Sequence, residues 1–368
     1  MNICSITLRY IAAPLKEPFV SALNTIMTRE SIILEVRDND GNIGWGEVVA
    51  FSSPWYTEET VTTCMYVLKE YLIPLLEKYP ITHPDQLQTI LAVVRGHHMA
   101  KSGLECALWD LYAKQNNLPL YKLFGGIRNE IESGVVIASH DIDVAIEQIE
   151  KYSKDGYKRY KVKVNPNTAI SYVDKIRSMF PDLPLMVDAN SSFTLEHLDV
   201  LKQLDVFDLM MIEQPLGHDD LMQHQFLQSQ LQTPICLDES ITSVQTAINA
   251  CALNSCQIVC VKMGRVGGFK AAVQIHDYCL ENNVKLWCGG MIEFGISKAH
   301  NAALATLEGF RIPGDISSSA RFWSEDIINP EIIVEKGRIV LPEKPGIGFD
   351  INYSILDRLT LSTDFYTF

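Results

Sequence analysis

Lys163, Asp188, Glu213, Asp238 and Lys262 each close a short apolar run, and successive members lie 25, 25, 25 and 24 residues apart. That interval is the length of one strand, one turn, one helix and one turn, so the five charges are expected to recur at one level of a repeating βα array. In a barrel of such units, a polar residue placed just after a buried strand is presented to the cavity at the strand's C-terminal end. Three carboxylates gathered there repel one another unless a cation neutralises them. With no His or Cys expected beside Asp188, Glu213 and Asp238, an all-oxygen set favours a hard ion, Mg²⁺ first and Mn²⁺ second. A single Asp at a strand end is more often a cap or turn former. Three in step with two lysines argue for a metal site.

Lys163 and Lys262 flank the carboxylate strands and are expected to face each other across the ion. Lys161 lies two residues before Lys163, on the same face of the strand. A free lysine, with a pKa of about 10.4, is a weak base at neutral pH, but a neighbouring cation disfavours its charged form. Two lysines beside an ion that can hold a carboxylate suit removal of a proton α to that carboxylate. One lysine takes the proton, the other stabilises or reprotonates the enediolate, and the ion neutralises its charge. A scaffold that merely held metal would need the ligands and not the two lysines.

The elements that must position these groups are legible from periodicity. From about residue 131 to 318, apolar runs of four to six residues alternate with helical stretches such as DVAIEQIEKYS, AISYVDKIRSMF and GGFKAAVQIHDYCLENN. The strand runs are continuously apolar, as parallel strands covered on both faces require. IESGVVI, YKVKV, LPLMV, LMMI, PICL, QIVCV and VKLWC make seven, with a weaker eighth near FRIPG. That count favours a closed α/β barrel. Before it, Ser31 to Ala50 alternates around an Asn-Asp-Gly-Asn turn and reads as an antiparallel hairpin, followed by helices over 58–76 and 97–116. The expected division is an N-terminal α+β capping domain over 1–125, a βα barrel over 126–320 and a tail over 321–368 that packs back on the cap.

With 368 residues, 47% of them hydrophobic and 21% charged, the chain has room for one barrel and a smaller partner domain. A net charge of -14 argues against nucleic acid or an anionic membrane surface as partner and leaves a small-molecule carboxylate open. No export signal and no run of about 18 apolar residues is seen, so a cytoplasmic protein is expected. Nine cysteines without a C-x-x-C pair read as small buried hydrophobes. G-x-x-G-G at Gly264 to Gly268 lacks the spacing of a phosphate loop and reads as a tight βα turn. His97, His98 and His300 read as capping or packing residues.

K-V-K at Lys161 to Lys163, D-A-N at Asp188 to Asn190, E-Q-P from Glu213, D-E-S from Asp238 and K-M-G-R-V-G-G from Lys262 resemble the muconate-cycloisomerase branch of the enolase superfamily. G-W-G-E at Gly44 to Glu47, A-L-W-D at Ala107 to Asp110 and P-L-Y-K-L-F-G-G from Pro119 extend the likeness over nearly the whole chain. The stretches from Gly289 and Pro313 are similar to the o-succinylbenzoate synthases of Gram-positive type, some of which also racemise N-succinylamino acids. The resemblance implies a modified TIM barrel of the (β/α)7β kind, a role in menaquinone biosynthesis, and dehydration of a cyclohexadiene carboxylate with hydroxide leaving on the face of proton abstraction. It makes Lys163 the base and Lys262 the cation that stabilises the intermediate, Lys161 and Arg265 supporting groups, and Asn190, Phe19, Gly290, Met291 and Ile292 substrate contacts. The segment from Glu17, with Phe19 and Met27, resembles the family's specificity loop over the barrel mouth. A homo-oligomer is implied as well. No His follows the seventh strand, as mandelate-type members have, and PGDIS offers only Asp315 where dipeptide epimerases carry D-x-D.

Overall fold

Continuous apolar runs become parallel strands because both faces of each are covered. The computed structural model describes residues 1–20, 24–139 and 141–368, so 21–23 of the expected specificity loop lie outside the described residues. Seven strands, Gly134–Ile137, Arg159–Lys163, Leu185–Asp188, Ile212–Glu213, Ile235–Leu237, Ile258–Val261 and Lys285–Cys288, follow one another in the sheet in chain order. All are parallel, and helices connect them. The first connecting helix, Ile142–Lys154, buries Ala145 and Ile149 four apart, and Asp141 caps it by accepting from the N–H groups of Asp143 and Val144.

The weak eighth run is not a strand. Phe310 bridges Leu286 and Gly314 bridges Ser133, both in parallel sense. Gly134 N donates to Gly314 O at 2.8 Å and Asp315 N to Cys288 O at 2.9 Å, so segment 310–315 joins the seventh strand to the first and closes the curled sheet. Pro313 removes a donor from this segment and keeps it from forming a full ladder.

Pairing register decides what faces inward. Lys161 pairs with Met186, Lys163 with Asp188, Asp188 with Glu213, Glu213 with Cys236, and Cys236 with Ile258. Side-chain parity is thereby carried round the barrel. Met186, Met211, Cys236, Ile258, Cys260 and Trp287 form a separate interior cluster, while the alternate residues Val162, Val187, Ile212, Leu237 and Val259 join the larger core under the helices. Lys163, Asp188 and Glu213 stand level. Asp238 lies two residues beyond the partner of Glu213, and Lys262 two beyond the neighbour of Asp238, so the expected single level steps toward the mouth over the last two strands. This stagger is the shear of a tilted barrel.

The N-terminal sheet is antiparallel, in the order Thr360–Thr367, Ile3–Val20, Thr25–Asp38, Ile43–Val48. Its hairpin pairs Ile32 with Val48 and Arg37 with Ile43. Helix His98–Gln115 lies directly on strand Ile43–Val48, and a Cβ at Gly46 would stand 2.0 Å from Gly103 O. Glu47, the last residue of G-W-G-E, accepts from Phe294 N at 2.9 Å and Ser297 N at 2.8 Å, capping the buried barrel helix Gly295–Leu304 from across the molecule. Asp110 of A-L-W-D accepts from Trp45 N at 2.8 Å and Ile347 N at 2.7 Å. The last strand, Thr360–Thr367, pairs with Ile3–Val20. Among the described residues no helix is long and apolar enough to cross a membrane.

The turn after Lys262 is a tight βα turn: Gly267 and Gly268 have φ of 103° and 123°, and a Cβ on Gly268 would meet Glu105 Oε2 at 1.7 Å. Gly268→Ala is therefore expected to lower stability by about 2 kcal/mol or more. An unchanged denaturant midpoint would show that the turn relaxes without strain.

Candidate active site

The barrel mouth and the N-terminal sheet enclose a cavity of about 890 Å³, including open solvent at its mouth. Lys161, Lys163, Asp188, Asn190 and Lys262 line it from the barrel, Gly290, Met291 and Ile292 from the loop after the seventh strand, and Phe19 and Tyr56 from the N-terminal part. Met27 is 60% exposed and is not part of this lining, contrary to its expected place over the mouth. Its strand position points it to solvent, whereas Phe19 packs edge-on against Phe322 at 6.3 Å. Glu213, Asp238 and Arg265 are buried beneath the cavity floor.

Lys161 Nζ lies 3.1 Å from Glu213 Oε2, 2.7 Å from Asp315 Oδ2 and 3.6 Å from Asp188 Oδ2. Lys163 Nζ donates to Asp188 Oδ2 at 3.1 Å and to Asn190 Oδ1 at 2.5 Å. Asn190 sits at φ 41° and passes its amide to Glu239 Oε1 at 2.9 Å. Across the sheet, Lys262 Nζ donates to Asp238 Oδ2 at 2.9 Å and to the Tyr56 hydroxyl at 2.7 Å. Arg265, buried, reaches the same tyrosine at 2.5 Å, Asp238 Oδ1 at 2.7 Å and Ile241 O at 2.9 Å. Arg265 is thus buried in the turn after Lys262. It braces the carboxylate and the tyrosine that both hold Lys262.

These contacts set the charge states. Burial would raise Asp188, but Lys163 and Lys161 outweigh it and hold the group below the usual carboxylate range. Asp238 is held low in the same way by Arg265 and Lys262 against its own burial. Glu213 goes the other way: burial, then Asp188, push it well above the usual range. For Lys262, burial would lower the ammonium, yet Asp238 and Tyr56 raise it well above its ordinary value. Lys161 is likewise raised, by Asp315, Glu213 and Asp188 against burial. The protein's own carboxylates thus raise both groups against their burial. Both ammonium groups are held charged.

The residues present fit a divalent ion. Asp238 Oδ1 and Glu239 Oε2 are buried without a hydrogen-bond partner, Asp238 Oδ1 touching Arg265 only in poor hydrogen-bond geometry. Glu213 is short of positive charge. The expectation that no Cys stands near is corrected: ligand atoms of Glu213, Asp238 and Cys260 lie within 4.8 Å of one another. Cys260 faces the interior because it neighbours Asp238 in register. Burial and Asp238 raise its thiol well above the usual range, and a neutral thiol is a poor ligand for a hard ion. Asp188 stands beside Glu213 in register, with its Oδ2 turned to Lys163 and Lys161 and its Oδ1 accepting from Asn190 N.

Four side chains escaped the reading of the sequence. Asp315 binds Lys161 and also Arg159 Nη2 at 2.5 Å, and Glu239 holds Asn190. Glu239 adjoins Asp238, and Arg159 precedes Lys161 of K-V-K by two residues, so their spacing offered a signal. Tyr56 comes from the N-terminal part, where no periodicity marks it.

The domain family described as enolase C-terminal domain-like matches residues 144–355, and the mandelate racemase/muconate lactonizing enzyme N-terminal domain matches 4–125. The chain belongs to the mandelate racemase/muconate lactonizing enzyme family of the enolase superfamily. Within that family, an o-succinylbenzoate synthase of Bacillus subtilis is 47% identical over 367 residues, covering 100% of this chain and 99% of that protein. An N-succinylamino acid racemase of Thermus thermophilus is 38% identical and covers 98% of each. An enolase-superfamily crystal structure from Listeria innocua superposes with a TM-score of 0.97 at 39% identity, covering 100% and 99% of the two chains. Members of the superfamily use a divalent metal.

Proposed function

We propose that the chain is an Mg²⁺-dependent o-succinylbenzoate synthase, a lyase of menaquinone biosynthesis, with racemisation of N-succinylamino acids as a second activity. Full-length identity to the Bacillus subtilis synthase supports the substrate. The observation that carries the chemistry is that Lys163 and Lys262 line one cavity, each hydrogen-bonded to a different carboxylate of the Asp188–Glu213–Asp238 set. Asp188, Glu213 and Asp238 would hold Mg²⁺, which when bound neutralises charge developing on the substrate carboxylate.

Lys163, oriented by Asn190 and Asp188, takes the α proton. Lys262, kept cationic by Asp238, stabilises the enediolate electrostatically. Arg265 and Lys161 are supporting groups, the first bracing Asp238 and the second binding Glu213. Phe19, Met291 and Ile292 contribute apolar lining that excludes water, and Gly290 and Asn190 complete the substrate contacts. In racemisation the two lysines exchange protons, one for each enantiomer. A dedicated N-succinylamino acid racemase is the second reading, favoured by the 38% identity to the Thermus protein and by buried Arg265 next to the Lys262 partners.

The same proposal takes 1–125 as capping domain, 126–320 as catalytic barrel and 321–368 as the tail, in a cytoplasmic homo-oligomer. A side-by-side assay of the cyclohexadiene substrate and an N-succinylamino acid, with Mg²⁺ and with chelator, decides between the readings. Mg²⁺-dependent dehydration is expected. Racemisation alone would establish the dedicated racemase, and neither activity would reject both.

A further inference from the structure

Lys298 lies in the first turn of the buried helix Gly295–Leu304, is 1% exposed, and lines the cavity. Its Nζ has no hydrogen-bond partner. A buried ammonium without one is costly, and most proteins avoid it. The acidic groups facing it are Asp326, Glu293 and Glu47, yet their oxygens are used by other donors. Asp326 accepts from Gly295 N and the Ser319 hydroxyl, Glu293 from Met291 N and Asn301, and Glu47 from Phe294 N and Ser297 N. Burial outweighs these acids and holds Lys298 below its ordinary value.

A second cation shares the wall. Arg321 spends one nitrogen on Val136 O at 2.5 Å, while its Nη1 is buried and unpartnered. Both cations lie over the Phe322 ring, Lys298 Nζ at 5.6 Å and Arg321 Cζ at 5.5 Å from the centroid. Phe322 is held from the N-terminal part by Lys16 N, which donates to Phe322 O at 3.0 Å, and by Phe19. Neither cation touches the Asp188, Glu213 or Asp238 carboxylates.

We propose that Lys298, with Arg321 beside it, is a second anion subsite that binds the remote carboxylate of a dicarboxylate substrate, while the first carboxylate and the α carbon sit at Lys163 and Lys262. This deepens the proposed function and rests on it for the position of the α carbon. The subsite selects substrates whose acyl arm ends in a carboxylate over those whose arm ends in a methyl group. It takes no part in proton transfer.

The test compares α-proton exchange in deuterated water for the N-succinyl and N-acetyl derivatives of one amino acid, in wild type, Lys298→Met and Lys298→Arg. Lys298→Met is expected to lower kcat/KM for the N-succinyl compound about ten- to a hundredfold, through KM, which is the loss of one charged hydrogen bond. The N-acetyl compound should change by less than about threefold, and Lys298→Arg should retain most of the preference. Equal losses on both compounds, or no loss on either, would overturn the subsite. If Lys298→Met fails to fold, Arg321→Met is read in the same way and should also narrow the preference. If wild type exchanges neither compound, racemisation as the second activity has failed, and calorimetry with glutarate and butyrate judges the subsite separately. Tighter binding of glutarate, erased by Lys298→Met, sustains it; equal affinities in wild type remove it.

Discussion

Lys163→Ala and Lys262→Ala are each expected to cut turnover about a thousandfold or more while leaving the unfolding midpoint close to that of the wild type. Lys163 has one hydrogen bond to Asp188 and one to Asn190, and Asp188 keeps Lys161 within 3.6 Å when Lys163 is removed. Asp238 likewise keeps Arg265 when Lys262 is removed. No carboxylate is left alone, so the fold should hold. The losses should differ in kind. Lys262 acts as a cation, so Lys262→Arg is expected to recover part of the rate, whereas Lys163→Arg cannot accept a proton and should stay inactive. Near-wild-type turnover in either alanine variant would remove that lysine from the mechanism.

Glu213→Gln is expected to weaken Mn²⁺ or Mg²⁺ binding at least about a hundredfold and to abolish activity, without destabilising the metal-free protein. The reasoning turns on the charge state of Glu213, which burial and the neighbouring Asp188 push well above the usual carboxylate range. Without metal, a neutral amide therefore replaces a carboxylate whose charge burial and Asp188 make costly. Lys161 keeps its 2.7 Å ion pair with Asp315. Thermal unfolding in chelator should coincide for the two proteins, and only calorimetric titration with the ion should separate them. A Glu213→Gln protein that unfolds in chelator would make Glu213 a structural partner of Lys161, and unchanged affinity would exclude it as a ligand.

Much of this geometry was legible in the sequence because parallel strands enforce parity. Once Lys163, Asp188 and Glu213 end successive strands in register, their side chains must share one face, and the even spacing discloses the register. The hairpin around Gly41 and the helix containing Leu104 and Leu108 follow from alternation and from three- and four-residue spacing in the same way. What periodicity cannot convey is contact between distant segments. Tyr56 reaches Lys262 across 206 residues, and Asp315 reaches Lys161 from a segment whose Pro313 prevents a regular strand. Cys260 looked like an ordinary apolar strand residue, and only its alignment beside Asp238 brings its sulfur near the carboxylates. The lysine charge states also escaped. Carboxylate oxygens about 3 Å away raise Lys161 and Lys262, and such distances are not written in the spacing.

Diffraction from crystals soaked in Mn²⁺, with the metal located by its anomalous signal, tests the metal centre most directly. One peak is expected, about 2.1 Å from an oxygen of each of Asp188, Glu213 and Asp238, with the Lys163 and Lys262 amines on either side of it. A peak that leaves out any of the three carboxylates, or one that binds Cys260 in place of Asp188, would contradict it.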